Sequence, residues 1–238
     1  MDTGDASPLL ALKPKDRADA MKALSLYAKI TGRYGAWKAI REAYGLRWSL
    51  EAEAVPSILS FKAYSSMLEV AKKIFSSLDM HRSIVEFIAL SGLRVGEAFS
   101  SIKLYCKEGE GYVNKELMVL EHYRYPNIFL RRTKKAYITV LDDRMLETLD
   151  SCRPISYSLI HKILKRRLNS GCRLDYFRKI WATYMRLKGI DPEVIDLLQG
   201  RTPKSIFLKH YYRPDIKPLI ENVRDKLRGL REELGIAT

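Results

Sequence analysis

Residues 117–141 read LMVLEHYRYPNIFLRRTKKAYITVL, and this stretch decides the fold class of the 238-residue chain. Its apolar residues lose the three-and-four spacing found elsewhere and become dense in Val, Ile, Tyr and Phe, which suit a pleated surface. Three β-rich segments, residues 118–125, 127–132 and 136–141, are punctuated by Pro126-Asn127 and by Thr133-Lys134-Lys135. That pattern predicts a three-stranded antiparallel sheet with short turns and places Lys134 in the second turn.

Outward from this stretch the periodicity is helical. Upstream, Ile58, Phe61, Met67, Val70 and Ile74, then Ile84, Phe87 and Ile88, lead into SGLRVGEA at residues 91–98. Gly92 is expected to break one helix and open the next, with Arg94 at the junction and Glu97 one turn on. Downstream, residues 156–169 form a strongly basic amphipathic helix with His161, Lys162, Lys165, Arg166 and Arg167. A helix over residues 175–188 stops at Gly189. Asp191-Pro192-Glu193 starts a short helix that Gly200 ends, because a capping acid followed by proline suits a first helical turn. The last helix, residues 216–234, carries Ile220, Val223, Leu227 and Leu230 on one side. It either folds back on its own core or docks on a neighbouring protomer. The expected class is mainly α with a small three-stranded antiparallel sheet, α+β.

Residues 18–31 space Met21, Leu24, Tyr27 and Ile30 three apart, and Trp37, Ile40 and Tyr44 share a second helical face that Gly45 ends. Two such helices cannot bury their aromatic faces alone. Residues 1–55 are therefore read as a small helical module or a fragment of one, with the acidic residues 51–53 before Pro56 as linker. Residues 56–238 form the second domain.

Charge narrows the partners. The chain has 42 basic and 28 acidic residues, a net charge of +14, and residues 151–238 hold 19 and 9 of them, so +10 lies in that part. A concentrated positive field points first to nucleic acid and then to an anionic membrane surface. No apolar stretch approaches the ~20 residues of a spanning helix, and the acidic N-terminus is unlike a signal peptide. Cytoplasmic residence is the expectation, with no membrane partner. Cys106, Cys152 and Cys172 form no CxxC pair, so neither a disulfide framework nor a zinc site is expected. A single Gln and four Asn beside abundant Lys, Arg and Glu suit a hot-living source.

Glycine-rich phosphate loops, HExxH and GxSxG are absent, and His81, His122, His161 and His210 have no ligand spacing. No metal and no cofactor is expected. What remains is a set of Arg, Lys and Tyr at element boundaries. Singly, each has an ordinary reading. Arg94 and Glu97 make a structural ion pair, Lys134 is a solvated turn lysine, and Tyr211 and Tyr212 pack a core. Arg178, flanked by Phe177, Ile180 and Trp181, needs an anionic partner, and Asp175 is the one acid near it in sequence.

The order of these residues is more specific. Arginine in SGLRVGEA, lysine in RTK, arginine before IWAT, LLQGR, then a tyrosine ten residues on, resembles the tyrosine recombinase/integrase family. That family's catalytic domain shares its active-site plan with type IB topoisomerases. The resemblance covers about residues 57–215, and LLQGRTPKSIFLKHYYRPD, residues 197–215, looks most like archaeal virus and plasmid integrases of the fuselloviral type. Residues 20–48 resemble the end of the helical, SAM-like core-binding domain. The resemblance implies that Arg94 is the first-box arginine, Glu97 its supporting acid, Lys134 the hairpin lysine and Arg178 the second-box arginine. Arg201 stands where His or Trp is common. Tyr211 is the implied nucleophile, with the adjacent Tyr212 as the alternative.

The implied chemistry is metal-free. Two guanidinium forks hold the non-bridging oxygens of a phosphodiester, a tyrosine attacks to give a 3′-phosphotyrosine, and a lysine protonates the leaving 5′-oxygen. The implied partners are double-stranded DNA attachment sites and a homo-tetramer on that DNA, in the integration and excision of a mobile element. The implied setting is an archaeal host cell, near the nucleoid. Lys162, Lys165, Arg166 and Arg167 are candidates for phosphate contacts, against the reading of a solvated helix face. The sequence departs from the pattern at Asp175, where His or Lys is usual, at Arg201, and in the short region ahead of the catalytic domain. Those departures favour a second reading, a truncated or catalytically impaired remnant that only binds DNA. A third reading is an RNA-binding protein.

Overall fold

The computed structural model describes residues 4–47, 63–78, 81–131, 134–168, 173–201 and 215–236. The chain divides into two compact units, residues 1–61 and 62–238. In the first, helices α1 (Ser7–Leu10), α2 (Pro14–Ile30) and α3 (Tyr34–Ala43) enclose a small core of Ala6, Met21, Ala28, Trp37 and Leu46. Pro14 opens α2, where a missing N–H costs nothing. The Trp37 indole N–H donates to Ser25 Oγ at 2.6 Å and so fixes α3 on α2. The buried face of α2 is turned from the expected stripe. Met21 and Ala28 are buried, whereas Tyr27 and Ile30 are 56% and 76% exposed, because Trp37 packs over the small Ala28 side of the helix.

The second unit is built around α5 (Arg82–Leu90). Every residue from 84 to 90 is buried, so α5 is surrounded rather than amphipathic. Around it pack α6 (Val95–Glu108), α8 (Asp143–Ser151), α10 (Asp175–Leu187) and α12 (Ile216–Leu234), while α4 (Tyr64–Ser76) packs on α10, α12 and α9 (Tyr157–Leu168). Each fully buried Phe, Leu or Ile here contributes about 1.5–3 kcal/mol of transfer free energy. The stripe Ile220, Val223, Leu227, Leu230 and Leu234 of α12 is buried against this unit's own helices. The last helix therefore folds back on its own core.

The sheet is three-stranded and antiparallel, in the order β1 (Val113–Asn114), β2 (Val119–Leu120), β3 (Thr139–Val140). Val113 pairs with Leu120, and Leu120 with Thr139. The class is the expected one, but the strands are not all the expected segments. Residues 118–125 and 136–141 each contribute a two-residue strand. The third comes from residues 113–114, and residues 126–129 form a helical turn, α7 (Pro126–Phe129). Pro126 supplies the first helical position. Phe129 then turns inward onto His122 and Tyr112, with ring centroids 4.5 and 6.3 Å away. Aromatic packing thus overrides the β-propensity of NIFL. An isolated bridge, Leu130 with Lys135, follows.

His122 lies fully buried in this cluster, beside the Tyr112 hydroxyl and 2.6 Å from Thr139 Oγ1, and burial pushes its imidazole down to about 3. Among the described residues no helix is long and apolar enough to cross a membrane, and no group of three or more His, Cys, Asp or Glu is placed to hold a metal.

Candidate functional site

The site begins where α5 stops. Gly92 takes φ +66, and a Cβ there would lie 2.8 Å from the Trp181 ring, so both the turn and the packing exclude a side chain. Arg94 is the N-cap of α6 and Glu97 its third helical residue. Glu97, only 2% exposed, accepts the Arg94 backbone N–H at 3.0 Å through Oε2 and the Arg94 guanidinium at 2.7 Å through Oε1. An arginine side chain has no acceptor, so this is half a capping box completed by an ion pair.

Two further arginines surround the same carboxylate. Arg178 Nη1 is 3.9 Å from Glu97 Oε2, and Arg131 Nη2 is 3.6 Å from Oε1. The acid that meets Arg178 is therefore Glu97, not Asp175. Asp175 is instead held in a two-pronged pair by Arg173, at 3.1 and 3.0 Å. Arg178 also donates to the Gly92 carbonyl at 3.0 Å and the Gln199 carbonyl at 2.6 Å, while the Gln199 amide donates back to the Arg178 carbonyl at 3.1 Å. These bonds tie the start of α10 to the turn before α6 and to the end of α11 (Pro192–Leu198).

The segment that carries Lys134 is fixed to the same point. The Lys135 carbonyl accepts from Arg94 Nη1 at 3.3 Å, and a Cβ on Gly200 (φ +68) would lie 1.7 Å from that carbonyl oxygen. Only glycine lets the chain after α11 approach so closely. Burial, with Arg94 nearby, pushes the Arg178 guanidinium down to about 10, and Glu97 restores only part of its charge preference. A cavity of about 490 Å³ opens beside the pair, lined by Arg94, Arg178, Tyr157, His161, Arg173 and Asp175 among others.

Arg94, Glu97 and Arg178 are thus brought together, and Lys134 is exposed next to the residue whose carbonyl meets Arg94. Arg201 is exposed and paired with Asp196 at 2.7 Å, close enough for its charge to bear on Arg178. Lys179 stands over the Tyr176 ring, 5.7 Å from its centroid. Tyr211 and Tyr212 lie outside the described residues. On α9, Lys162, Lys165, Arg166 and Arg167 are exposed, and Arg167 donates to the Ser77 carbonyl. Lys162 and Arg166, four apart, lie opposite the buried Ile160 and Leu164. Sequence reasoning missed Arg131, Gln199 and the Lys135 carbonyl. Gln199, the one Gln in the chain, was visible as a singularity, whereas a backbone acceptor leaves no signal in sequence.

Searches against curated proteins and against solved structures return no match. The family model described as archaeal phage integrase matches residues 60–215, the span that contains every residue of the arginine cluster. With more than half of its length matched in this way, the chain belongs to the archaeal phage integrase family.

Proposed function

We infer that the protein is a site-specific DNA recombinase that cuts and rejoins duplex DNA through a 3′-phosphotyrosine, with Tyr211 as nucleophile. The observation that carries this reading is the incomplete charge balance around Glu97. Three arginines meet one carboxylate, and the most buried of them is held where its own charge is disfavoured. A dianionic transition state at phosphorus supplies the missing negative charge.

Arg94 and Arg178 hold the non-bridging oxygens of the scissile phosphate with planar, pre-set donors. The Tyr211 oxygen attacks phosphorus as its proton passes to water. The bond from phosphorus to the 5′-oxygen breaks, and Lys134 gives that oxygen a proton. Attack by another 5′-hydroxyl on the phosphotyrosine reverses these steps and frees Tyr211. The ester is conserved throughout, so no nucleotide hydrolysis is required. Duplex DNA is bound through the basic half of the chain, with Lys162, Lys165 and Arg166 on phosphates, and the working assembly is a tetramer on attachment sites of a mobile element. No metal and no cofactor enters any step.

The test is covalent trapping. Wild-type protein is incubated at elevated temperature in a chelator with a pool of nicked duplexes of randomised sequence, and adducts are resolved on denaturing gels. An adduct that Tyr211→Phe abolishes, with duplex binding retained, supports the reading. An adduct that moves to Tyr212→Phe sensitivity transfers the nucleophile to the neighbouring residue. Binding without any adduct favours the DNA-binding remnant that Asp175 suggests.

A further inference from the structure

We propose that His161 is an additional catalytic residue of this site, donating a hydrogen bond to a non-bridging oxygen of the phosphate held by Arg94 and Arg178. This rests on the recombinase reading and adds a group to it that neither the family pattern nor the arginine cluster assigns.

Several donors in the cavity are already engaged by the protein itself. Arg94 Nη1 is shared between Glu97 and the Lys135 carbonyl. Both Nη atoms of Arg178 donate to backbone carbonyls, of Gly92 and Gln199. Arg173 spends Nε and Nη2 on Asp175. That pair also cancels the carboxylate that would otherwise face the phosphate. Of the polar side chains on the cavity wall, His161 and Tyr157 are the two that make no hydrogen bond to any described residue.

Geometry favours the imidazole as donor and Tyr157 as its support. The two residues are four apart on α9 and so share a face, with ring centroids 5.9 Å apart. Tyr157 in turn meets Phe99 edge-on at 5.9 Å, and Phe99 belongs to α6, the helix that Arg94 caps. A chain of three rings therefore references His161 to the arginine that holds the phosphate. A phenol donates without adding charge. An imidazole donates and, when protonated, adds a third positive charge to the wall.

The experiment uses the full chain and the nicked duplex that traps best from the randomised pool. His161→Ala is expected to slow single-turnover adduct formation about 10²-fold, with duplex affinity within about twofold. His161→Lys, which restores a charged donor, recovers at least about tenfold of that loss. Tyr157→Phe, which keeps the ring, stays within about threefold of wild type. A substrate with sulfur at the bridging 5′ position needs no leaving-group proton, so it rescues Lys134→Ala but leaves the His161→Ala defect in place. Full-rate His161→Ala beside inactive Arg178→Ala and Tyr211→Phe overturns the role of His161 and leaves the recombinase reading standing. Rescue of His161→Ala by the sulfur substrate also overturns it, by making the imidazole a leaving-group acid. Absence of any wild-type adduct overturns the recombinase reading itself.

Discussion

The second unit contains two arginine–carboxylate clusters made of the same groups and put to different ends. Around Glu97, three arginines face one carboxylate, so two positive charges are unmatched. Around α5 and α8, Arg231 and Arg144 face Glu86 and Asp142, and the charges close to zero. In the balanced cluster Arg231, 4% exposed, grips Asp142 with both Nη atoms and lies 3.5 Å from Glu86, while Asp142 also caps α8 by accepting the Met145 N–H at 2.8 Å. Every part of it joins one secondary element to another. In the open cluster the arginines also tie elements together, through backbone carbonyls, but they line a cavity as well. A buried ion pair that closes its own charge is architecture. One that leaves charge over, at a solvent-reachable wall, suits an anion, as the recombinase reading requires.

The strongest way to break this comparison is to remove one arginine from each cluster. Arg178→Ala is expected to lower the single-turnover adduct rate about 10³-fold, about 4 kcal/mol of barrier, while moving unfolding stability by less than about 1 kcal/mol. Burial disfavours its charge, which offsets part of what is lost when the Gly92 and Gln199 carbonyls lose their donor. Arg178→Lys does not recover the rate, since a point charge cannot replace a fork. Arg231→Met is the reverse case. It strands Glu86 and Asp142 and is expected to cost about 3 kcal/mol in urea unfolding, with the adduct rate of the folded fraction within about twofold. Equal effects of both variants on rate and stability would erase the distinction.

Gly200→Ala sharpens it by moving the backbone rather than the charge. The added Cβ collides with the Lys135 carbonyl that also receives Arg94, so about 2 kcal/mol of stability and a measurable share of the rate are lost together. Gly109→Ala serves as the control. Its φ is also positive (+57, with ψ −134), but nothing lies within 4 Å, so only backbone strain of about 1–3 kcal/mol is expected, with no effect on rate.

A pH-dependent effect lies outside both clusters, at His122. Its imidazole is held near 3 in the folded chain against an ordinary 6.5. As pH falls through that window the unfolded chain takes up a proton and the folded chain does not. Stability present above pH 6.5 is therefore lost toward pH 3, with a slope of up to about 1.4 kcal/mol per pH unit. Urea midpoints measured across this range should fall less steeply for His122→Phe. Parallel slopes would show that His122 is not the group responsible.

Much of the arginine cluster was legible in the sequence, because its residues sit at points where local rules are strict. Gly92, Gly189 and Gly200 all adopt positive φ at helix ends, and Asp191-Pro192 opens α11 as its sequence suggests. The arginine-bearing boxes stand out for the same reason, as polar groups set among apolar periodic residues. The misreadings have one cause. Residues 127–132 carry strand-forming side chains, yet Pro126 and the buried Phe129 commit residues 126–129 to a helical turn, and Val113–Asn114 supplies the missing strand. On α2 the stripe was turned because a window of apolar residues does not say which of them a tryptophan on the next helix will cover.

By itself, then, the amino-acid order settled the helix ends marked by Gly92, Gly189, Gly200 and Asp191-Pro192, the basic character of the second half and the residue types that could meet a phosphate. These follow from backbone sterics and from charge, which act within a few residues or need no geometry at all. Only the tertiary fold decided that Arg178 meets Glu97 rather than Asp175. The fold also set Gly92 and Lys135 as carbonyl partners for arginines 86 and 41 residues away in the chain, and aligned His161 through Tyr157 and Phe99 with the same cavity. Contacts across such separations depend on how α5 is enclosed by its neighbours, and no local period in the sequence encodes that packing.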